Sequence, residues 1–185
     1  AYNAHDIDDG VRSGLLKLEQ LQEVTLFDQH AQDVQRAHPN LPPRRVLHEV
    51  IRRMLSAQIH DLIDSTQAAL RESGVRHVDE VRAHEPLVCF SGEMKAASQS
   101  LKRFLFDNLY RHPQVVSTTQ WAKTVVRDLF AAYLDSPQLM PADHAQRPDR
   151  ERAVADYIAG MTDRFASKAH HRLTGQEAPH FSHVG

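Results

Sequence analysis

Tyr2, His5, Asp6, Asp8 and Asp9 bring a phenol, an imidazole and three carboxylates into one short run, Ala1-Tyr-Asn-Ala-His-Asp-Ile-Asp-Asp-Gly10. If the run is helical, Tyr2, Asp6 and Asp9 are spaced by four and three residues and share one face. His5 and Asp9 also stand four apart. Such a face could orient a sugar hydroxyl or contribute to a metal site. It could equally be an acidic helix end that complements the dipole or caps a segment starting near Ser13. The adjacent His5-Asp6 pair has the residue types of a divalent-metal dyad. Neighbours on a helix point about 100° apart, however, so sharing one ion would need unusual geometry.

A second cluster is Leu101-Lys-Arg-Phe-Leu-Phe-Asp-Asn-Leu-Tyr-Arg-His-Pro113. Arg103 and Tyr110 are seven residues apart, nearly on one helical stripe, and Asp107 and Arg111 have the spacing of an i,i+4 ion pair. Cationic donors beside a stacking ring suit a nucleotide, because the donors take phosphate oxygens and the ring takes a base or sugar. The same residues also read as the polar face of an amphipathic helix with His112 near its end. His170, His171, His180 and His183 form a third group, in a chain with 13 histidines. A closed zinc site wants tighter spacing with Cys or Asp support.

The elements that must carry these groups are helical. The chain has 185 residues, 41% of them hydrophobic, enough for one domain with a genuine core. Its net charge of -2 gives no global argument for a nucleic-acid or membrane surface. Cys89 is the only cysteine, which excludes an internal disulfide and fits a reducing cytoplasmic compartment. No apolar run is long enough to cross a membrane. The opening inside a dense polar motif leads us to expect further sequence upstream.

After Pro42-Pro43 the apolar residues Val46, Leu47, Val50, Ile51, Met54, Leu55, Ile59, Leu62, Ile63, Thr66 and Leu70 recur at three and four. This predicts one long helix of roughly 45 Å, opened by the prolines and closed by Gly74. A second helix starts at Ser91, buries Met94, Ala97, Leu101, Phe104, Leu105 and Leu109, and stops near His112. A third is capped within Ser117–Thr119 and buries Trp121, Val125, Val126, Leu129, Tyr133 and Leu134. A fourth opens at Asp149, carries Val154, Ile158, Met161, Phe165 and Ala169, and ends before Gly175. Segments 75–90 and 136–148 read as ordered loops. The expectation is an all-α, multi-helix single domain over 1–175, with a flexible tail over 176–185.

Taken together, these clusters resemble a known family. Ala1 to Gly10 followed by Arg12, Gly14 and Leu15 looks like the downstream motif of bacterial deoxyguanosine-triphosphate triphosphohydrolases of the HD-domain superfamily. Leu101 to Val115, with Tyr110-Arg-His-Pro113, and Val154-Ala-Asp-Tyr-Ile-Ala-Gly-Met-Thr-Asp-Arg-Phe-Ala166 are similar to two further motifs of that family, in the same order. The resemblance implies an HD-type bundle, here a fragment lacking the upstream helices. The implied reaction is attack of water on the α-phosphorus of a deoxynucleoside triphosphate, with dGTP the expected substrate, releasing the deoxynucleoside and intact triphosphate. A divalent metal, Mg or Mn or another transition metal, would serve it in the full-length protein. The resemblance puts all metal ligands upstream of Ala1, so this fragment alone is expected to be inactive and to bind no metal.

By motif position, Tyr2 and Asp6 look like deoxyribose contacts, with Asp6 accepting from the 3′-hydroxyl and the Tyr2 ring crowding the 2′ position. Lys102, with Arg103 as a second candidate, looks like the phosphate contact. Tyr110 and Arg111 would flank the sugar or base, with His112 a further candidate. Arg164 could reach a phosphate or a neighbouring subunit, or pair with Asp163 or Asp156. The resemblance also implies a homo-oligomer, and nucleic acid enters only as a conceivable effector. An alternative from another class is a non-catalytic helical module for regulation or oligomerisation that binds dNTP as an effector.

Overall fold

A computed structural model describes residues 2–177; Ala1, His180, His183 and the expected tail beyond Glu177 lie outside the described residues. Among those residues there are ten α-helices and no strand, the all-α class expected. The described residues fall into two compact units that meet in sequence at His112 and Pro113.

The first unit contains α1 (Tyr2–Arg12), α2 (Leu18–Leu21), α3 (Thr25–Ala37), α4 (Pro43–Ser73), α5 (Val78–Ala83) and α6 (Gly92–Leu105), the last running into a π turn at Phe106–Tyr110. Pro43 takes the first position of α4, where its missing N–H costs nothing, and Gly74 closes the helix in the left-handed conformation at φ 68°. α4 packs against α3 and α1, and α1 also packs against α6. Ile7, Leu21, Val50, Met54, Leu101 and Leu105 meet in the core between them, each at most 1% exposed. At roughly 1.5–3 kcal/mol for each buried large aliphatic side chain, this cluster dominates the unit's stability. Only the first half of α4 contributes to it. Ile59, Ile63 and Leu70, read from periodicity as buried, are 55%, 47% and 38% exposed. Further along α4, Gln58 donates to Ser98 of α6 at 3.2 Å, and Ser91, just before α6, donates to Asp61 at 2.6 Å through Oγ and 2.9 Å through its backbone N–H.

The second unit contains α7 (Pro113–Asp135), a short 3-10 turn at Pro137–Leu139, α8 (Ala142–Ala145), α9 (Arg150–Ala159) and α10 (Asp163–Thr174). α9 and α10 both pack on α7. Two boundaries differ from the sequence reading. α7 opens at Pro113, ahead of Ser117, because a proline that must stop one helix is well suited to start the next. The single helix expected after Asp149 is two: Asp149 caps α9, Gly160 ends it, and the Thr162 hydroxyl caps α10 by accepting from the Phe165 N–H at 3.3 Å. Val126 and Phe165, expected in the core, are 49% and 46% exposed. Tyr133, Leu129 and Val154 fill the core instead.

Candidate functional site

α1 is helical because Ala4, Ile7 and Gly10 repeat every three residues and are all buried, leaving the acidic residues on the outer faces. Its close seat depends on Gly10. A Cβ there would lie 2.6 Å from Leu16 Cδ1, 2.9 Å from Leu16 Cγ and 3.4 Å from Leu109 Cδ1, so only glycine lets Leu16 and Leu109 approach. Ser13 does not cap a following helix. Its hydroxyl folds back on α1 and donates to the Asp9 carbonyl at 2.6 Å, while the Asp9 carboxylate pairs with Arg12.

At the other end of the site, α6 leaves regular geometry after Leu105. The Arg111 N–H donates to the Phe106 carbonyl at 3.0 Å, a five-residue spacing, and one π turn results. Leu109 stays in the core with Leu101 and Leu105, and the next side chain, Tyr110, reaches α1. Its hydroxyl donates to Asp6 Oδ2, joining residues 104 positions apart. This bond, followed by desolvation and the Asp6 charge, pushes the Tyr110 phenol up to about 12. The phenol therefore stays a neutral donor. Asp6 keeps its other oxygen and further lone pairs for a second donor.

The residues singled out by sequence fall into two groups. Asp6 and Tyr110 are in direct contact. Tyr2 lies one turn before Asp6 on α1, with its ring 86% exposed. Lys102 and Arg103 are exposed in the last turn of α6, and no described hydrogen bond or ion pair holds either. The π turn breaks the seven-residue register that would have aligned Arg103 with Tyr110. No ion pair joins Asp107 to Arg111 among the described residues; the Arg111 guanidinium instead lies over the Phe106 ring, 4.8 Å from its centroid. His112 ends the first unit, its N–H donating to the Leu109 carbonyl at 3.1 Å.

The described residues contain no group of three or more His, Cys, Asp or Glu side chains placed to hold a metal ion. His170 belongs to a core, 1% exposed, with Nε2 2.8 Å from Asp128 Oδ2 and its ring against Trp121 at 5.1 Å. Asp156 takes Arg147 at 2.9 Å and Arg152 at 2.8 Å, not Arg164.

A family model described as a phosphohydrolase-associated domain matches residues 88–172. Over 175 residues the chain is 50% identical to a deoxyguanosinetriphosphate triphosphohydrolase-like protein of Bordetella pertussis, covering 94% of this chain and 46% of that protein. Identity to proteins of the same description is 48% over 179 residues in Thiobacillus denitrificans, covering 96% of this chain and 48% of the relative. In Mesorhizobium japonicum it is 44% over 180 residues, covering 94% and 45%. Over nearly all of its own length the chain is similar to proteins described as deoxyguanosinetriphosphate triphosphohydrolase-like. It spans slightly less than half the length of these relatives. The matched phosphohydrolase-associated region includes both later motif segments, Leu101 to Val115 and Val154 to Ala166, and hence the π turn that carries Tyr110.

Proposed function

We propose that this chain supplies the substrate-binding part of a metal-dependent deoxynucleoside triphosphate triphosphohydrolase, with dGTP as the favoured substrate. The observation that carries the reading is the Tyr110–Asp6 hydrogen bond, made between the two motif segments that the resemblance assigns to one sugar. A carboxylate that accepts one phenol proton and still has free lone pairs can accept from a 3′-hydroxyl. Tyr110 and Tyr2 then present rings to the sugar, and the exposed cations Lys102 and Arg103 supply donors for the polyphosphate. A divalent ion bound in the full-length protein would polarise the phosphoryl oxygens and supply the activated water. Following the resemblance, its ligands lie outside this chain, and the chain alone is inactive. The deciding experiment is triphosphate release from dGTP by the full-length protein with added Mn²⁺ or Mg²⁺, beside Asp6→Ala and Tyr110→Phe. The expected result is turnover in the parent and a loss of tenfold or more in kcat/KM in the variants. Unchanged kcat/KM in Asp6→Ala would end the sugar-binding role.

A second reading, assembly, is favoured by α4. Ile59, Ile63 and Leu70 stand four and seven residues apart and form an exposed apolar ridge on its second half. We assign this ridge to contacts between copies of the protein. No described helix is long and apolar enough to cross a membrane. Ile59→Glu/Ile63→Glu is expected to lower the mass of the full-length protein by light scattering, and an unchanged mass would refute the assignment.

A further inference from the structure

One pocket lies wholly within the unit that starts at Pro113. It has a volume of about 350 Å³ and is lined by His144, Asp156, Tyr157, Gly160, Met161, Thr162 and Phe165. It forms where α9 ends and α10 begins, the break that the sequence reading missed. Gly160 and the Thr162 cap turn the chain there, exposing Phe165 at the mouth. Tyr157 is braced from below, edge-on to buried Tyr133 at 5.3 Å and tilted against His144 at 5.2 Å.

We propose that this elbow is a binding site for a planar, amino-bearing heterocycle of the nucleobase class, presented as a nucleoside. The size is appropriate, since ligand sites of about 300–1,000 Å³ hold drug-sized molecules. Two aromatic rings and a thioether give flat, polarisable walls for a heterocycle. The polar groups sit among them. Asp156 is held ionised by Arg147 and then Arg152, each of which occupies one lone pair of a different oxygen. Both oxygens can accept again, from the N–H edge of an amino-heterocycle. The Thr162 oxygen accepts from the Phe165 N–H, leaving its O–H to donate to a ring nitrogen or carbonyl. A purely aliphatic ligand would leave these groups unanswered, whereas a base answers both kinds.

Gly160 provides the test. A Cβ there would meet only the Asp156 and Tyr157 carbonyls, both at 3.6 Å, and the backbone is right-handed at φ -80°. Gly160→Ala should therefore fold normally while placing a methyl at the pocket wall. Amide chemical shifts of the 185-residue chain are followed during titration with 2′-deoxyguanosine. The expected result is saturable shifts at Gly160, Met161 and Thr162, weakened tenfold or more by Gly160→Ala and by Phe165→Ala, with an unchanged melting temperature in the glycine variant. Shifts at residues 144–165 that do not saturate, or that survive in both variants, would overturn the site. Preference for a tyrosine- or tryptophan-bearing peptide over the nucleoside would overturn it too, in favour of a protein partner. The test is separable from that of the sugar site: Asp6→Ala should remove shifts around α1 and Tyr110 and leave those at Gly160, Met161 and Thr162 in place.

Discussion

Removing the Asp6 carboxylate should change the chemistry of a residue 104 positions away, and the size of that change follows from the contact. Tyr110 stands at about 12 against an ordinary 10.0, with the Asp6 hydrogen bond as the first cause, desolvation second and the Asp6 charge third. At about 1.36 kcal/mol per pKa unit, the gross difference between the two protonation states is roughly 2.7 kcal/mol. The Tyr110 ring is 43% exposed, so solvent screening reduces the net contribution to stability to about 1 kcal/mol. The sign is fixed by linkage. A group whose pKa is higher in the folded state binds its proton more tightly there, so the contribution is complete below pH 10 and disappears between about 10 and 12. The assay is ¹³Cζ-tyrosine NMR, which follows Tyr2, Tyr110, Tyr133 and Tyr157 separately. In Asp6→Ala, Tyr110 should titrate close to 10, with burial leaving only a small residual rise. A double-mutant cycle with Tyr110→Phe, read by urea unfolding at pH 7, should give a coupling of about 1 kcal/mol. A wild-type Tyr110 that titrates at 10, or one that stays near 12 in Asp6→Ala, would refute the reasoning.

Gly10→Ala should destabilise the chain by about 1–3 kcal/mol in urea unfolding, because the added methyl drives into buried Leu16 and the core cannot widen freely. Ser91→Ala removes both the cap of α6, where Oγ accepts from Met94 at 3.1 Å, and a donor to Asp61, and should cost about 1–2 kcal/mol by the same measurement. Glu49 is held down at about 2 by its hydrogen bonds to Arg52 and then Arg53. Its contribution to stability is thus present above pH 4.5 and is lost as the pH falls toward 2. In Arg52→Ala/Arg53→Ala, the carboxyl should titrate near 4.5 by ¹³C NMR. Lys102→Ala in the full-length protein should raise KM for dGTP several-fold with a smaller effect on kcat, read from steady-state triphosphate release; an unchanged KM would remove Lys102 from the phosphate site.

Much of the fold could be read from sequence because its signals were local. Pro43 and Gly74 bracket α4, and Ser91 caps α6, each through backbone chemistry decided within one turn. The missed break at Gly160 is instructive for the same reason. A right-handed glycine followed by a threonine cap leaves the apolar repeat almost in phase, so Met161 and Phe165 looked like a continuation of the α9 stripe. The exposed half of α4 failed differently. Periodicity reports that an apolar face exists, and the core of this unit runs out of partners after Met54.

The site itself lies between these cases. Tyr2 and Asp6 share a face by spacing alone, and the motif resemblance joined them to Tyr110, yet no local rule could aim the Tyr110 hydroxyl. That direction is set by three features acting at a distance: the absent side chain of Gly10, the insertion of Leu109 beside it, and the extra residue of the π turn. If they act by setting the angle of residue 110, the extra residue is dispensable once the helix is shortened to match. Deleting Asp107, which lies in the π turn and is exposed, would restore α-helical spacing and leave residue 110 at nearly its present angle, because the π turn spreads over five residues about the rotation that an α-helix makes in four. The Tyr110 phenol should then still titrate near 12 with Asp6 intact, whereas a value near 10 would mean that the contact needs the π turn itself.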